Sequence, residues 1–371
     1  MTRSWWPLTA CVLASALALT AGCGSTAGAV VTARDVAAID MLTPRVGVGV
    51  TETSLFSCKL TSPTAGCQSE FAPFPLELVA TTDGGHSWRR EGVPIPYAQT
   101  DKLPFSSMVF VTKRAGYVQV GESLVSTTDA GQHWRTLLTG AGLLTLSVWG
   151  SSVWVAECAN GPLPTSPCRA SLRVGLPGGV LSSPTAVPLT AGQLIGRVGP
   201  GVGVFSGLGP TPEVQQPEQF MVTTDAGRSW APLRVPCGGP VVGFDPGRWW
   251  LVCAQDGGMN QGIVRVYATS DSGHNWLEVA SANPVGPSPG GLSDSIPQAV
   301  AVSADGQRLW IAGLNGIQSS TDGGASWQDV KGVNLGGWRP VFSMLPPEHA
   351  WLAVGNQGMW TTADGTTWRA S

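Results

Sequence analysis

The chain is expected to fold as an all-β ring, a seven-bladed β-propeller with four antiparallel strands in each blade. Three observations lead there: an eight-residue turn sequence that recurs, its spacing, and a second repeat of paired apolar runs between its copies. The clearest copy of the turn is Ser320 to Trp327, S-T-D-G-G-A-S-W. The same S/T-x-D-x-G-x-x-W pattern carries Asp83 and Trp88, Asp129 and Trp134, Asp225 and Trp230, and Asp271 and Trp276. A looser sixth copy reads Thr361, Asp364, Gly365, Thr367 and Trp368, and Asp322 and Trp327 complete the set.

Each copy, called a box below, lies between two short apolar runs, which marks a hairpin. An Asp side chain can accept N–H groups of its own turn. A Gly two places on supplies a positive φ at little steric cost, and the Trp opens the next strand with a large packing face. Replacing Asp322 with Ala should therefore destabilise its blade by about 1 kcal/mol through lost turn bonds. Thermal unfolding that does not change would reject this reading. Repetition of one turn in every unit suits a structural part better than a single active site.

Four of the five intervals between box aspartates are about 42 to 51 residues, and the interval from Asp129 to Asp225 is about twice that. A lapsed turn is expected near residue 177, with Arg169–Val174 as a strand, Gly175–Gly179 as the turn and Val180–Leu181 as the return. That makes seven units. Paired inner strands are expected at Ala37–Leu42 with Val46–Val50, Val241–Phe244 with Trp249–Val252, Ala299–Val302 with Leu309–Ala312, and Val341–Leu345 with Ala350–Val354. Units of about 45 residues with four strands each bury their apolar faces only by packing round a ring. No strand is shared between the two ends, so closure rests on packing of the last blade on the first.

The chain opens with Met1-Thr2-Arg3 and an apolar run from Trp5 to Thr20, too short for a membrane span and typical of a secretory signal. Leu19-Thr20-Ala21-Gly22-Cys23 resembles a bacterial lipobox with Thr in place of the commoner Leu. The resemblance implies cleavage before Cys23 and lipid on its thiol. The alternative is an ordinary signal with a chance Cys. The expected organisation is a signal at 1–22, a lipid-anchored tether at 23–35 and the propeller at 36–371. Several acyl chains anchor stably, which would place the protein on the extracytoplasmic side of a bacterial cell membrane.

Only 12% of residues are charged and the formal net charge is −3, with no basic stripe, so nucleic acid is not an expected partner. Without Cys11 of the signal and Cys23, six cysteines remain: Cys58, Cys67, Cys158, Cys168, Cys237 and Cys253. Export permits disulfides, and six cysteines allow fifteen connectivities. The strand register favours pairing of nearest neighbours.

That register has the turns between strands 1 and 2 and between strands 3 and 4 on one face, with the boxes. The 2–3 and 4–1 connections share the other face. All six cysteines and the longest Pro/Gly-rich connections fall there: Thr53–Pro73, Pro94–Pro104, Gly207–Gln219 and Ser281–Pro297. Long loops on a rigid frame are where binding is usually placed, so this is the expected working face. Candidate contact residues are Phe71, Phe74, Tyr97, Lys102, Glu213, Glu218, Trp338 and Arg339.

The boxes resemble the Asp-box, or BNR repeat, of sialidase-like propellers. That resemblance implies an Arg triad, a Tyr–Glu nucleophile pair and an acidic Asp. Tyr97, Glu122 and Asp40 can be sketched as such a site, but no Arg triad can be assigned, and Thr43-Pro44-Arg45-Val46 does not match the motif that usually precedes the first box. His86, His133, His274 and His349 all fall on the box face. No catalytic residue, metal or cofactor is therefore expected. Over nearly the whole mature chain, size, blade count and lipobox also resemble the photosystem II stability and assembly factor group, single seven-bladed propellers that hold membrane-protein intermediates. The resemblance implies a non-catalytic scaffold with a membrane or envelope protein as partner. A glycan-binding protein or a sialidase-like glycoside hydrolase is the alternative.

Overall fold

The computed structural model describes residues 30–31, 36–51, 76–96, 107–140, 144–159, 169–175, 181–208, 218–258, 261–282, 289–293, 296–313, 316–333, 340–345, 349–354 and 358–371. Apart from one 3-10 turn at Pro289–Gly291, all regular structure among them is β. Seven four-stranded blades form, each antiparallel throughout.

In the first blade, β1 (Val30–Val31) pairs on the outer edge of a sheet whose four blade strands are β2 (Val36–Met41), β3 (Gly47–Thr51), β4 (Leu76–Thr81) and β5 (Trp88–Ile95). The second holds β6 (Ser107–Thr112), β7 (Ala115–Val120), β8 (Ser123–Thr127) and β9 (Arg135–Leu138). The third and fourth merge into one seven-stranded sheet: β10 (Leu144–Trp149), β11 (Ser152–Ala159), β12 (Arg169–Gly175), β13 (Thr185–Arg197), β14 (Gly203–Leu208), β15 (Gln219–Thr223) and β16 (Ala231–Pro232). The fifth blade is β17 (Val241–Asp245), β18 (Arg248–Gly258), β19 (Gln261–Thr269) and β20 (Leu277–Ser281). The sixth is β21 (Pro297–Val302), β22 (Leu309–Gly313), β23 (Gly316–Ser320) and β24 (Gln328–Asp329). The seventh is β25 (Pro340–Leu345), β26 (His349–Val354), β27 (Gly358–Thr362) and β28 (Arg369–Ala370).

The lapsed unit departs from the sequence reading. Its return strand is not Val180–Leu181 but the first half of β13, where Ser171 and Leu172 face Ala186 and Thr185. Ser182 turns back on β12 through Ser182 N–H to Val174 O at 2.8 Å and Val174 N–H to Ser182 Oγ at 2.9 Å, which displaces the strand downstream. The second half of β13 then serves as the inner strand of the fourth blade, pairing with β14. One continuous strand thus couples two blades without a connecting loop.

The core is divided into seams between neighbouring blades. Trp250, Leu309 and Ile311 pack one seam, Trp310, Leu352 and Trp368 the next, and Val36, Ile39, Met41, Trp88, Trp351 and Met359 the one that closes the ring. As expected, closure uses no shared strand, because every blade strand of the seventh blade comes from the C-terminal end of the chain. Met41 N–H donates to the buried Ser343 Oγ at 2.7 Å across the join.

Candidate functional site

Two faces of the ring can be built from the residues. On the first, the boxes form one repeated turn. In the first blade Thr81 Oγ1 donates to Asp83 Oδ1 at 2.7 Å and accepts Gly85 N–H at 2.9 Å, while Ser87 N–H reaches Asp83 Oδ1 at 2.9 Å. The other boxes repeat this pattern; in the sixth blade Asp322 takes Ser320 Oγ and Ser326 N–H, both at 2.8 Å. In the looser copy the bonded hydroxyl is that of Thr362, at 3.0 Å from Asp364, rather than Thr361. Its turn is one residue shorter, so Thr367 N–H reaches Asp364 at 2.7 Å. Hydrogen bonds from His133, Ser229 and Asn275, the residue four places on in each case, hold the carboxyls of Asp129, Asp225 and Asp271 down to about 2. These carboxylates are occupied in holding turns.

The boxes also tie the face together. The residue after each aspartate has a positive φ, even at Ala130, Ala226 and Ser272. The same residue donates its N–H to the 1–2 turn of its blade: Gly84 to Arg45 O at 2.9 Å, Ala130 to Arg114 O at 2.9 Å, Ala226 to Gly201 O at 2.9 Å, Ser272 to Gly247 O at 3.1 Å and Gly323 to Gln307 O at 2.8 Å. From the preceding blade, a strand-2 tryptophan donates Nε1–H to a box carbonyl: Trp250 to Gly323 O at 2.8 Å, Trp310 to Gly365 O at 3.0 Å and Trp351 to Gly84 O at 2.8 Å. These tryptophans were missed in the sequence. Their signal was available in the register, since each lies opposite the residue just before the box hydroxyl.

Trp149 at the end of β10 and the exposed Phe244 of β17 meet on the box face with ring centroids 5.8 Å apart. His349 lies at the start of β26, with its ring stacked on Trp351 at 6.0 Å.

On the second face, Cys237 and Cys253 form a disulfide with Cα atoms 6.0 Å apart. It fastens the connection after β16 to the second strand of the fifth blade. Closing a loop of sequence separation 16 contributes about 3 kcal/mol. Reductant should lower the urea midpoint of the native chain by more than it lowers that of a Cys237→Ala/Cys253→Ala chain. Cys158 lies within β11, next to its last residue and opposite Ala170, rather than in the 2–3 connection; Cys58, Cys67 and Cys168 lie outside the described residues. So do Cys23, Phe71, Phe74, Tyr97, Lys102, Glu213, Trp338 and Arg339. Glu218 is described and exposed, directly before β15.

The sketched Tyr97, Glu122 and Asp40 constellation is not assembled. Glu122 sits in the 2–3 turn of the second blade, whereas Asp40 lies opposite Val48, one residue from the end of β2 that meets the box face. The two carboxylates are at opposite ends of their strands, and Tyr97 lies outside the described residues. Among the described residues no group of three or more His, Cys, Asp or Glu could hold a metal ion.

Asp40 bridges two blades instead. Its Oδ2 accepts Phe110 N–H at 2.6 Å, and burial pushes its carboxyl up to about 6, with the Phe110 bond opposing. The folded value exceeds the unfolded one, so ionisation above pH 6 opposes folding and protonation between pH 4 and 6 favours it. Asp40→Asn, which keeps an acceptor for Phe110, should raise stability at pH 7 to 8 and flatten the pH dependence between 4 and 6. The box aspartates act in the opposite sense: their contribution is lost as pH falls from 4 toward 2. Urea midpoints across pH 3 to 8 measure both.

No protein-family model matches the chain, and no curated protein sequence matches it. Solved structures do. A structure described as YCF48 bound to D1 peptide is 16% identical, covering 92% of this chain and 97% of that one with a TM-score of 0.54. The β-propeller domain of the trilobed protease from Pyrococcus furiosus, described as having an open velcro topology, is 7% identical over 90% of this chain and 96% of that one, TM-score 0.56. A polysaccharide lyase of the ulvan lyase type, bound to a sulfated GlcA–Rha saccharide, is 11% identical over 94% and 98%, TM-score 0.52. At these identities the common property is the fold, a seven-bladed β-propeller.

Proposed function

We propose that this chain is a lipid-anchored scaffold on the extracytoplasmic side of a bacterial membrane, recognising a protein partner through its 2–3 and 4–1 connections. The observation that carries this reading is the asymmetry of the two faces. Box and 1–2 turns are bound to one another in five blades, which suits a fixed frame. The opposite face carries the Cys237–Cys253 cystine and the longest connections of the sequence. The D1 peptide bound to YCF48 supports peptide recognition by a propeller of this kind. Cys23 supplies the anchor in this reading, and a membrane or envelope protein is the partner.

Cross-linking capture from intact membranes, with tagged and Cys23-anchored protein as bait, tests it. One reproducible membrane protein, cross-linked through the 2–3 and 4–1 connections, supports the reading; attachment through the box face alone rejects the choice of face. A Cys23→Ala chain should leave the membrane fraction. A glycan-binding or glycoside-cleaving role is the second reading, favoured by the likeness to the ulvan lyase and by the exposed Phe244 set against the half-buried Trp149. Capture of no protein, together with binding or hydrolysis of a sialoside or uronic-acid saccharide, would establish it instead.

A further inference from the structure

Between the fifth and sixth blades, at the 2–3 and 4–1 face, lies a cavity of about 260 Å3. Aliphatic side chains of Val264, Leu292, Ile311, Ile317 and Val333 form part of its wall, and Ser293, Gly313 and Gly316 bring polar backbone and hydroxyl groups to the rest. At one end stand Gln318 and Asp329, cross-strand partners on β23 and β24. Gln318 is buried and fully engaged. Its Oε1 accepts Ser293 N–H at 2.6 Å, and its Nε2 donates to Asp329 Oδ1 at 2.8 Å and to Gly291 O at 3.5 Å. The amide therefore fixes the carboxylate of Asp329. That residue is exposed, and its Oδ2 has no partner among the described residues.

The result is a chamber with a partly aliphatic wall and, at one side, an oriented carboxylate whose Oδ2 has no partner among the described residues. At this size it is just below the roughly 300–1,000 Å3 of pockets for drug-sized ligands and suits a single side chain. An anionic group would be repelled by Asp329, and a purely apolar one would displace water from Oδ2 without replacing its hydrogen bond. A flexible methylene stem with a terminal ammonium satisfies both ends: the stem lies on the aliphatic wall and the charge meets Oδ2. Arginine suits it less, because its planar fork seeks two acceptors where one is free. The formal net charge of −3 favours approach of a basic segment.

We propose that this cavity seats a lysine side chain of the partner, an inference that rests on the reading that the partner is a protein. The test uses the mature chain with labelled isoleucine methyl groups and two probes, N-acetyl-lysine methylamide and the uncharged N-acetyl-norleucine methylamide. The lysine probe should shift the Ile311 and Ile317 methyl signals saturably, and the norleucine probe should not. Asp329→Asn, which keeps an acceptor for Gln318, should weaken the lysine probe at least tenfold. Val333→Trp, which fills the chamber, should abolish binding with the thermal melt unchanged. Equal shifts with both probes, or undiminished binding to Asp329→Asn, overturns the assignment. Capture of a membrane protein while the lysine probe leaves both methyl groups unmoved removes this cavity and leaves the scaffold reading intact. Probe binding with no protein captured removes the protein source of the amine.

Discussion

Replacing Trp351 with alanine is expected to cost about 3–5 kcal/mol, the range for deleting a buried Trp, and to open the ring at one particular place. Trp351 is 2% exposed. It packs with Val36, Ile39, Met41 and Trp88 of the first blade and donates to Gly84 O at 2.8 Å. Six of the seven seams join blades that follow one another in the chain, so parting any of them stretches a covalent connection. The seam between the seventh and first blades has no connection along the chain, and among the described residues packing and a few hydrogen bonds hold it. Its loosening should therefore appear as local opening before global unfolding. Amide exchange at Met41, whose N–H bonds Ser343 Oγ, is the direct readout. Trp310→Ala is the control: it removes an equally buried Trp with the same kind of bond, to Gly365 O, at a seam the chain crosses. Both variants should lose comparable stability, and only Trp351→Ala should speed exchange at Met41 with Trp310→Ala leaving it unchanged. Trp351→Phe, which retains most of the packing, should lose about 1 kcal/mol for the hydrogen bond. Equal exchange at Met41 in both alanine variants would show that closure is not the weak seam.

What was legible in the sequence is what is local. A box reads directly because its hydroxyl, carboxylate, glycine and tryptophan lie within eight residues, and the first three bond one another. Blade count followed from the spacing of those aspartates, and the two faces followed from strand alternation alone. The lapsed third unit was placed correctly as a unit and in its strand Arg169–Val174, but not in its return strand. With no box to set the hairpin, the turn was free to lengthen, and Ser182 rather than a glycine ended it. The sixth box was misread by one residue for a similar reason: Thr361 and Thr362 are adjacent hydroxyls, and only distance to Asp364 separates them. Bonds between blades were illegible. Trp351 and Gly84 are far apart in the chain, and the acceptor is a backbone carbonyl that carries no residue signature. The same holds for Asp40, whose partner is the Phe110 N–H. It was read as a candidate acid because an isolated carboxylate on an inner strand gives no hint of the blade beside it.

Arg197 carries no warning in its neighbouring residues, and the structure gives it the largest role between blades. It ends β13, in a run of small and apolar residues, and is 8% exposed. No carboxylate among the described residues pairs with it. Its guanidinium instead donates to Ser152 O at 3.0 Å, Ser152 Oγ at 3.3 Å, Pro200 O at 2.8 Å and Gly199 O at 3.3 Å, and lies 4.3 Å from the Trp154 ring centre. Burial lowers its pKa to about 10, which leaves it charged at neutral pH and its bonds charge-assisted. Trp154 is the strand-2 aromatic of the third blade, but its Nε1 has no acceptor. Here the cation holds the 1–2 turns of the third and fourth blades together, the task that a Trp-to-box bond performs elsewhere. Arg197→Ala should cost roughly 3–4 kcal/mol, combining a desolvated cation–π contact with charged hydrogen bonds. Arg197→Lys should recover little of it, because a single ammonium cannot span acceptors on both turns. Arg197→Met should fall between native and alanine, since it fills the space and removes the desolvation cost along with the charge. Urea unfolding of the three variants ranks them. A lysine variant as stable as the native chain would mean that charge alone matters, and an alanine variant within about 0.5 kcal/mol of native, the usual effect of a surface change, would remove Arg197 from the frame of the ring.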